Sequence, residues 1–192
     1  MKPINLDEIV SFPIYEKIRP RLRPLFIAEK DRRRFAVGPH LTMLFENDRT
    51  VWYQIQEMVR AEKMTEPGAI QHEVDTYNEL MPSRGELSAT LLIEFTDTAE
   101  RDRRLKELVG LEQHLWMTVE SRRVRARFDV RQMSEDQVSS VQFIRFPIGI
   151  DGAKLVQCAR DGQLAVETGH PKMRERAAIP ESLAIQLAED LS

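Results

Sequence analysis

The chain's polar chemistry is densest between Gly38 and Asn78, where reactive or hydrogen-bonding side chains sit at spacings that an α-helix would bring together. Tyr53, Gln56, Glu57 and Arg60 fall three or four residues apart, so a helix places them on one side, with Gln54 on a neighbouring face. A glutamine amide both donates and accepts. Gln54, Gln56 and Arg60, with His40 before them and Asn78 after, therefore suit recognition of a carboxylate, a phosphate or a peptide backbone. The competing reading is a helix that pairs Glu57 with Arg60 for its own local stability.

A metal site is a second chemistry for the same segment. His72, Glu73 and Asp75 on a following helix could face Glu57 or Glu62 on the first, and helix-borne carboxylates and histidines build two-metal centres. Glu57, His72 and Glu73 are the ligands this reading selects, with a divalent ion as cofactor. The paired Glu-x-x-His pattern of such centres is absent, and His72 has no second histidine at helical spacing. His40 follows Gly38-Pro39 in turn composition and could act as a base or ligand, as could His170 before Pro171; an ordinary loop histidine is the alternative for both. Cys158 stands alone, so the chain makes no internal disulfide, holds no iron–sulfur cluster of its own, and carries a thiol expected to be structural. The phosphate-binding, nucleophile-elbow and zinc-protease motifs are missing.

These residues need elements to hold them. Apolar runs at 35–37 and 41–45 flank a Gly-Pro-His turn and predict two strands. Trp52, Ile55 and Val59 predict a helix over 50–64 capped by Asn47 or Asp48; Ile70, Val74 and Tyr77 predict another over 69–80. The two form a hairpin broken at Pro67-Gly68. Residues 6–34 read as helix in two pieces, because Pro20 and Pro24 predict a break near 19–24. Beyond residue 85 the β-branched and aromatic runs at 87–95, 115–119, 124–128, 138–146 and 163–168 predict strands, joined by a helix over 98–109 ending at Gly110 and followed by a terminal helix over 180–191. The fold class is α+β: a largely antiparallel sheet with helices packed on one side. One domain spans 1–192, helical up to residue 80 and sheet-rich from 85.

At 192 residues, with 42% hydrophobic and 31% charged side chains, the chain can bury a core without covalent staples. The lone cysteine suggests a reducing, cytoplasmic setting, and no apolar run approaches the ~20 residues of a membrane span. The net charge of −3 hides a basic stretch from Lys17 to Arg34. That stretch reads either as a solvated helix face laced with ion pairs or as a surface for phosphates; the acidic balance and the lack of interleaved aromatics weigh against nucleic acid.

Five strings, GPHLTMLFE at 38–46, YQIQEM at 53–58, IQHEVDTYNEL at 70–80, ATLLIEF at 89–95 and VQFIRF at 141–146, resemble a bacterial family known as domain of unknown function three-five-zero-one. The resemblance covers nearly the whole chain. It brings no catalytic residues, but it implies a context, because genes of the family tend to sit beside those for rubrerythrin-like proteins and cysteine-rich iron–sulfur proteins. The expectation is a non-catalytic accessory or interaction protein of a redox or oxidative-stress system, with the 38–78 segment as its recognition surface and such a protein as its partner. A metal-binding protein or metal-dependent enzyme, with its site between the 50–64 and 69–80 helices, is the alternative.

Overall fold

The computed structural model describes residues 1–132 and 134–191. Its strands are antiparallel throughout and form two sheets, where the sequence suggested one. The first contains β1 (Arg34–Val37), β2 (Leu41–Phe45), β3 (Leu87–Ile93), β6 (Arg127–Phe128) and β7 (Val141–Phe146) in the order β1-β2-β3-β7-β6. The second contains β4 (Leu115–Val119), β5 (Arg122–Arg125), β8 (Leu164–His170) and β9 (Met173–Ala178) in the order β5-β4-β8-β9. The chain passes from β5 to β6 through Ala126, whose N–H still donates to the Leu115 carbonyl, so one bent stretch belongs to both sheets.

Alternation decides what each face meets. Leu41, Met43 and Phe45 on β2, Leu87, Ala89 and Leu91 on β3, and Ile144 and Phe146 on β7 share one apolar core with Leu115, Met117, Leu164 and Val166 from the second sheet. Helices α4 (Thr98–Glu107), α5 (Gly152–Arg160) and α6 (Glu181–Ala188) add Leu105, Leu155, Cys158, Leu183 and Leu187 to that core. The opposite face of the first sheet carries a separate cluster. There Val51, Ile55 and Val59 of α2 (Asp48–Ala61) and Val74 of α3 (Pro67–Asn78) pack with Ile4, Leu80 and Phe143. The helices thus fall into two groups, one filling the interior and one layered on the first sheet.

Most elements lie where periodicity placed them. Asn47 caps α2, its side-chain oxygen accepting the Thr50 N–H at 2.9 Å, and Gly110 takes the left-handed conformation after α4. The exceptions have physical causes. Helix α1 (Phe12–Arg32) runs through Pro20 and Pro24 without the expected break. The two prolines are four residues apart, so they interrupt the same row of backbone bonds and leave the rest of the ladder intact. Strand β9 reads MRERAA, with too few apolar residues to announce a strand, and α5 was hidden because only Leu155 and Cys158 of its nine residues are buried. Gly38, at φ 69°, makes the β1–β2 turn and leaves room for the Glu175 side chain of β9. No described helix is long and apolar enough to cross a membrane.

Candidate functional site

Gln56 is completely buried, and its amide meets a peptide unit of its own chain. Its Nε2 donates to the Val10 carbonyl at 2.8 Å, and its Oε1 accepts the Val10 N–H at 2.9 Å. Asn78 does the same to Ile4, donating to its carbonyl and accepting from its N–H, both at 2.9 Å. Trp52 donates its indole N–H to the Glu8 carbonyl at 3.0 Å. The N-terminal strap 4–10 is thereby held across α2 and α3 by side chains that imitate a neighbouring strand. The chemistry anticipated for these amides, recognition of a peptide backbone, is present and spent internally.

The other predicted residues are also engaged. Glu57 accepts the Tyr15 hydroxyl at 2.7 Å and both arms of Arg19 at 2.8 Å, and this Arg19 contact holds its carboxyl below the ordinary range. The local Glu57–Arg60 pair does not form; Arg60 instead reaches Glu16 on α1. Tyr53 stacks on Phe26 with ring centres 4.6 Å apart, and the Lys30 ammonium lies 5.2 Å from the Tyr53 ring centre. Gln54 donates to Glu46 at 3.0 Å.

Glu46 is the carboxylate the sequence did not single out. It is 1% exposed, and burial pushes its carboxyl up even though the hydroxyls of Thr50 and Thr90 each donate to it at 2.5 Å. No signal beyond its place after an apolar strand could have found it.

The metal ligands are not assembled. Among the described residues no three His, Cys, Asp or Glu side chains are grouped to hold an ion. Glu57 is committed to Arg19 and Tyr15, His72 is exposed, and Asp75 accepts from Gln71 at 2.7 Å. His40 stands elsewhere, its Nδ1 3.0 Å from the Glu94 carbonyl and its ring stacked on Phe95 at 4.3 Å. The open cavity beside it, about 510 Å³, is lined by Phe95, Glu100 and Ser140 and by none of the other predicted residues. His170 is buried with its Nε2 3.2 Å from the Val109 carbonyl, and burial raises the Cys158 thiol, which leaves both structural.

A larger cleft of about 610 Å³ opens between the end of α3 and strands β6 and β7. Its floor is apolar, made by Tyr77, Leu80, Phe128 and Phe143, and its rim carries Arg127, Arg131 and Arg145. Each arginine is matched by a carboxylate. Arg127 and Arg145 approach Glu86 at 3.5 and 3.3 Å, while Arg131 lies 2.6 Å from Asp129 and also bonds Glu79. The Arg131 guanidinium holds the Asp129 carboxyl below its ordinary range. The cleft is therefore an apolar depression inside a ring of exchangeable ion pairs. Its lining contains no histidine, cysteine or lysine, so its ionisable groups are arginines, carboxylates and the Tyr77 phenol, which burial raises. Glu73, the remaining candidate metal ligand, lines this cleft with Thr76 and Tyr77 from inside the 38–78 segment, but the opposite wall lies outside that segment. Of its three arginines, Arg127 was legible only as part of the alternation of Arg123, Arg125 and Arg127 with Val124, Ala126 and Phe128.

No curated protein matches the chain. Among solved structures, the crystal structure of a novel protein of unknown function from Burkholderia pseudomallei K96243 superposes with a TM-score of 0.89 at 33% identity, covering 100% of both chains. The family model described as protein of unknown function (DUF3501) matches residues 3–191, and the chain belongs to that family.

Proposed function

We propose that this is a non-catalytic interaction protein, an accessory to the rubrerythrin- and iron–sulfur-linked redox system that the family resemblance implies. The cleft between α3 and β7 is its docking point. The observation that carries this reading is the composition of that cleft: four apolar side chains form its floor and paired arginines and carboxylates form its rim. Protein–protein hot spots have this arrangement, an apolar pocket that takes one large side chain surrounded by polar contacts that exclude water. Arg127 and Arg145 engage Glu86, and Arg131 engages Asp129 and Glu79, so these carboxylates are held in ion pairs, which favours recognition over proton transfer. The expected occupant is an apolar or aromatic side chain on a segment of the partner protein.

The test is anaerobic affinity capture from the native host with tagged protein, compared with Thr76→Trp. Thr76 lines the cleft from an exposed position on α3, so tryptophan fills the depression without disturbing the core. A rubrerythrin-like or cysteine-rich iron–sulfur protein should copurify with the parent and be lost with the variant. Capture of no redox protein removes the assignment to that system, and equal capture by both proteins removes the cleft as the docking point.

A further inference from the structure

The second sheet has a side turned away from the core. Leu115, Met117, Val119, Val124, Leu164 and Val166 point inward, so alternation puts Trp116 and Thr118, Arg123 and Arg125, Ala165 and Glu167, and Arg174 and Arg176 on the other face. All four arginines are exposed although Ala165 between them is buried, so it is the charged side chains of this face that meet solvent. The register places Arg125, Trp116, Glu167 and Arg176 in one row across the four strands. Four arginines against Glu167 alone give the face a charge of +3, in a chain whose total is −3. The charge is concentrated, not spread.

Its centre is built. Gly169 sits beside the Trp116 ring, and a methyl group on that glycine would come within 3.2 Å of the indole. The missing side chain lets the ring lie against the sheet. Above it, the Arg123 guanidinium carbon is 4.0 Å from the ring centre, and its Nε reaches across to Glu167 at 2.6 Å. Arg176 approaches the same carboxylate at 3.6 Å. Arg123 is thus oriented over the indole by Glu167, with its side chain still 53% exposed. Arg125 and Arg174 make no side-chain bond among the described residues and flank the stack with unpaired charge.

We propose that this face binds single-stranded nucleic acid, with a base stacking on the Trp116–Arg123 pair and the backbone phosphates on Arg125, Arg174 and Arg176. Guanidinium planes and aromatic rings are the surfaces on which unpaired bases stack, and an open sheet presents them without steric hindrance. Arginine forks match phosphate oxygens. An acidic protein fits less well, because this face offers little apolar area around Trp116 from which to build the dry core of a protein interface. The early basic stretch is a different surface; Arg19 and Arg33 there are consumed by Glu57, Glu29 and Asp190. The proposal does not involve the α3–β7 cleft.

The experiment is fluorescence anisotropy of the full chain with a labelled 12-nucleotide single strand of mixed sequence across a salt series. Three or four phosphate contacts predict a log K against log salt slope of about −2 to −3, and removing Arg125 and Arg174 together should weaken binding and reduce the slope by about 1.4. In a Trp52→Phe background Trp116 is the sole tryptophan, and its emission should be quenched on binding. Arg125→Ala/Arg174→Ala touches no internal bond, so an unchanged melting temperature separates lost binding from lost folding. The proposal is overturned by absence of binding at low salt, by an unchanged slope in the double variant, or by equal affinity for polyglutamate or for a duplex of the same length.

Discussion

Glu46 and Glu57 are two carboxylates on neighbouring elements whose surroundings drive them in opposite directions. Burial raises Glu46, while the Arg19 hydrogen bonds lower Glu57. The folded state therefore holds the Glu46 proton to higher pH than the unfolded chain does. Its stabilising contribution is complete below the unfolded value, about 4.3, and is lost as pH rises through the folded value. Glu57 contributes the other way: its share is present above about pH 4.3 and disappears as pH falls through its lowered value. Glu46→Gln should flatten the decline of the melting temperature above about pH 4.5 and leave the protein at least as stable at neutral pH. Glu57→Gln should lose about 1 kcal/mol at neutral pH and converge with the parent in acid, because the lost contact is a charge-assisted one. Melting curves from pH 3 to 8 check both (about 4.3 being the unfolded reference). The sequence revealed Glu57 because its helical spacing advertises a face. Glu46 was silent, since its burial depends on Thr90 from a strand 44 residues away.

At the scale of elements, the N-terminal strap shows where sequence reading stops. Helical periodicity placed α2 and α3 correctly and put Gln56 and Asn78 on candidate faces, but nothing in their spacing says that the peptide they grip is residues 4–10. Gln56→Ala removes two hydrogen bonds at a fully buried site and should cost about 2 kcal/mol in denaturant unfolding. Asn78→Ala should cost less, because its site is only partly buried. Both residues hold one strap, so the double variant should lose less than the sum of the two, and limited proteolysis should then cut within residues 1–11. Additive losses with a protected N-terminus would mean that the strap is held by other contacts. The strands were readable where one face is apolar, as in β2 and β4, and unreadable in β9, where MRERAA contributes only Met173 and Ala177 to the core.

At the scale of the whole molecule, Arg33 joins the beginning of the chain to its end. It is 1% exposed, bonds Asp190 with both arms at 2.7 and 2.8 Å, and also reaches Glu29 at 3.0 Å. In the sequence Arg33 is one of a run of basic residues, and only its intrahelical partner Glu29 is visible; Asp190, 157 residues on, is not. Burial pushes the Glu29 carboxyl up, but the Asn47 and Arg33 hydrogen bonds outweigh it and keep that carboxyl below the ordinary range. Asp190→Ala leaves a buried guanidinium short of its partner and should cost about 3–5 kcal/mol, measured by denaturant unfolding, whereas replacing both residues with well-packed apolar ones should recover much of that loss. The α+β class and most elements were legible because they follow from local pattern. The second sheet and the cleft were not, since both depend on which strands meet. The cleft's role is tested most directly by isothermal titration of the captured redox partner with parent protein and with Thr76→Trp under anaerobic conditions. The account predicts saturable binding to the parent and a loss of at least tenfold, about 1.4 kcal/mol, in the variant; equal affinities would contradict it.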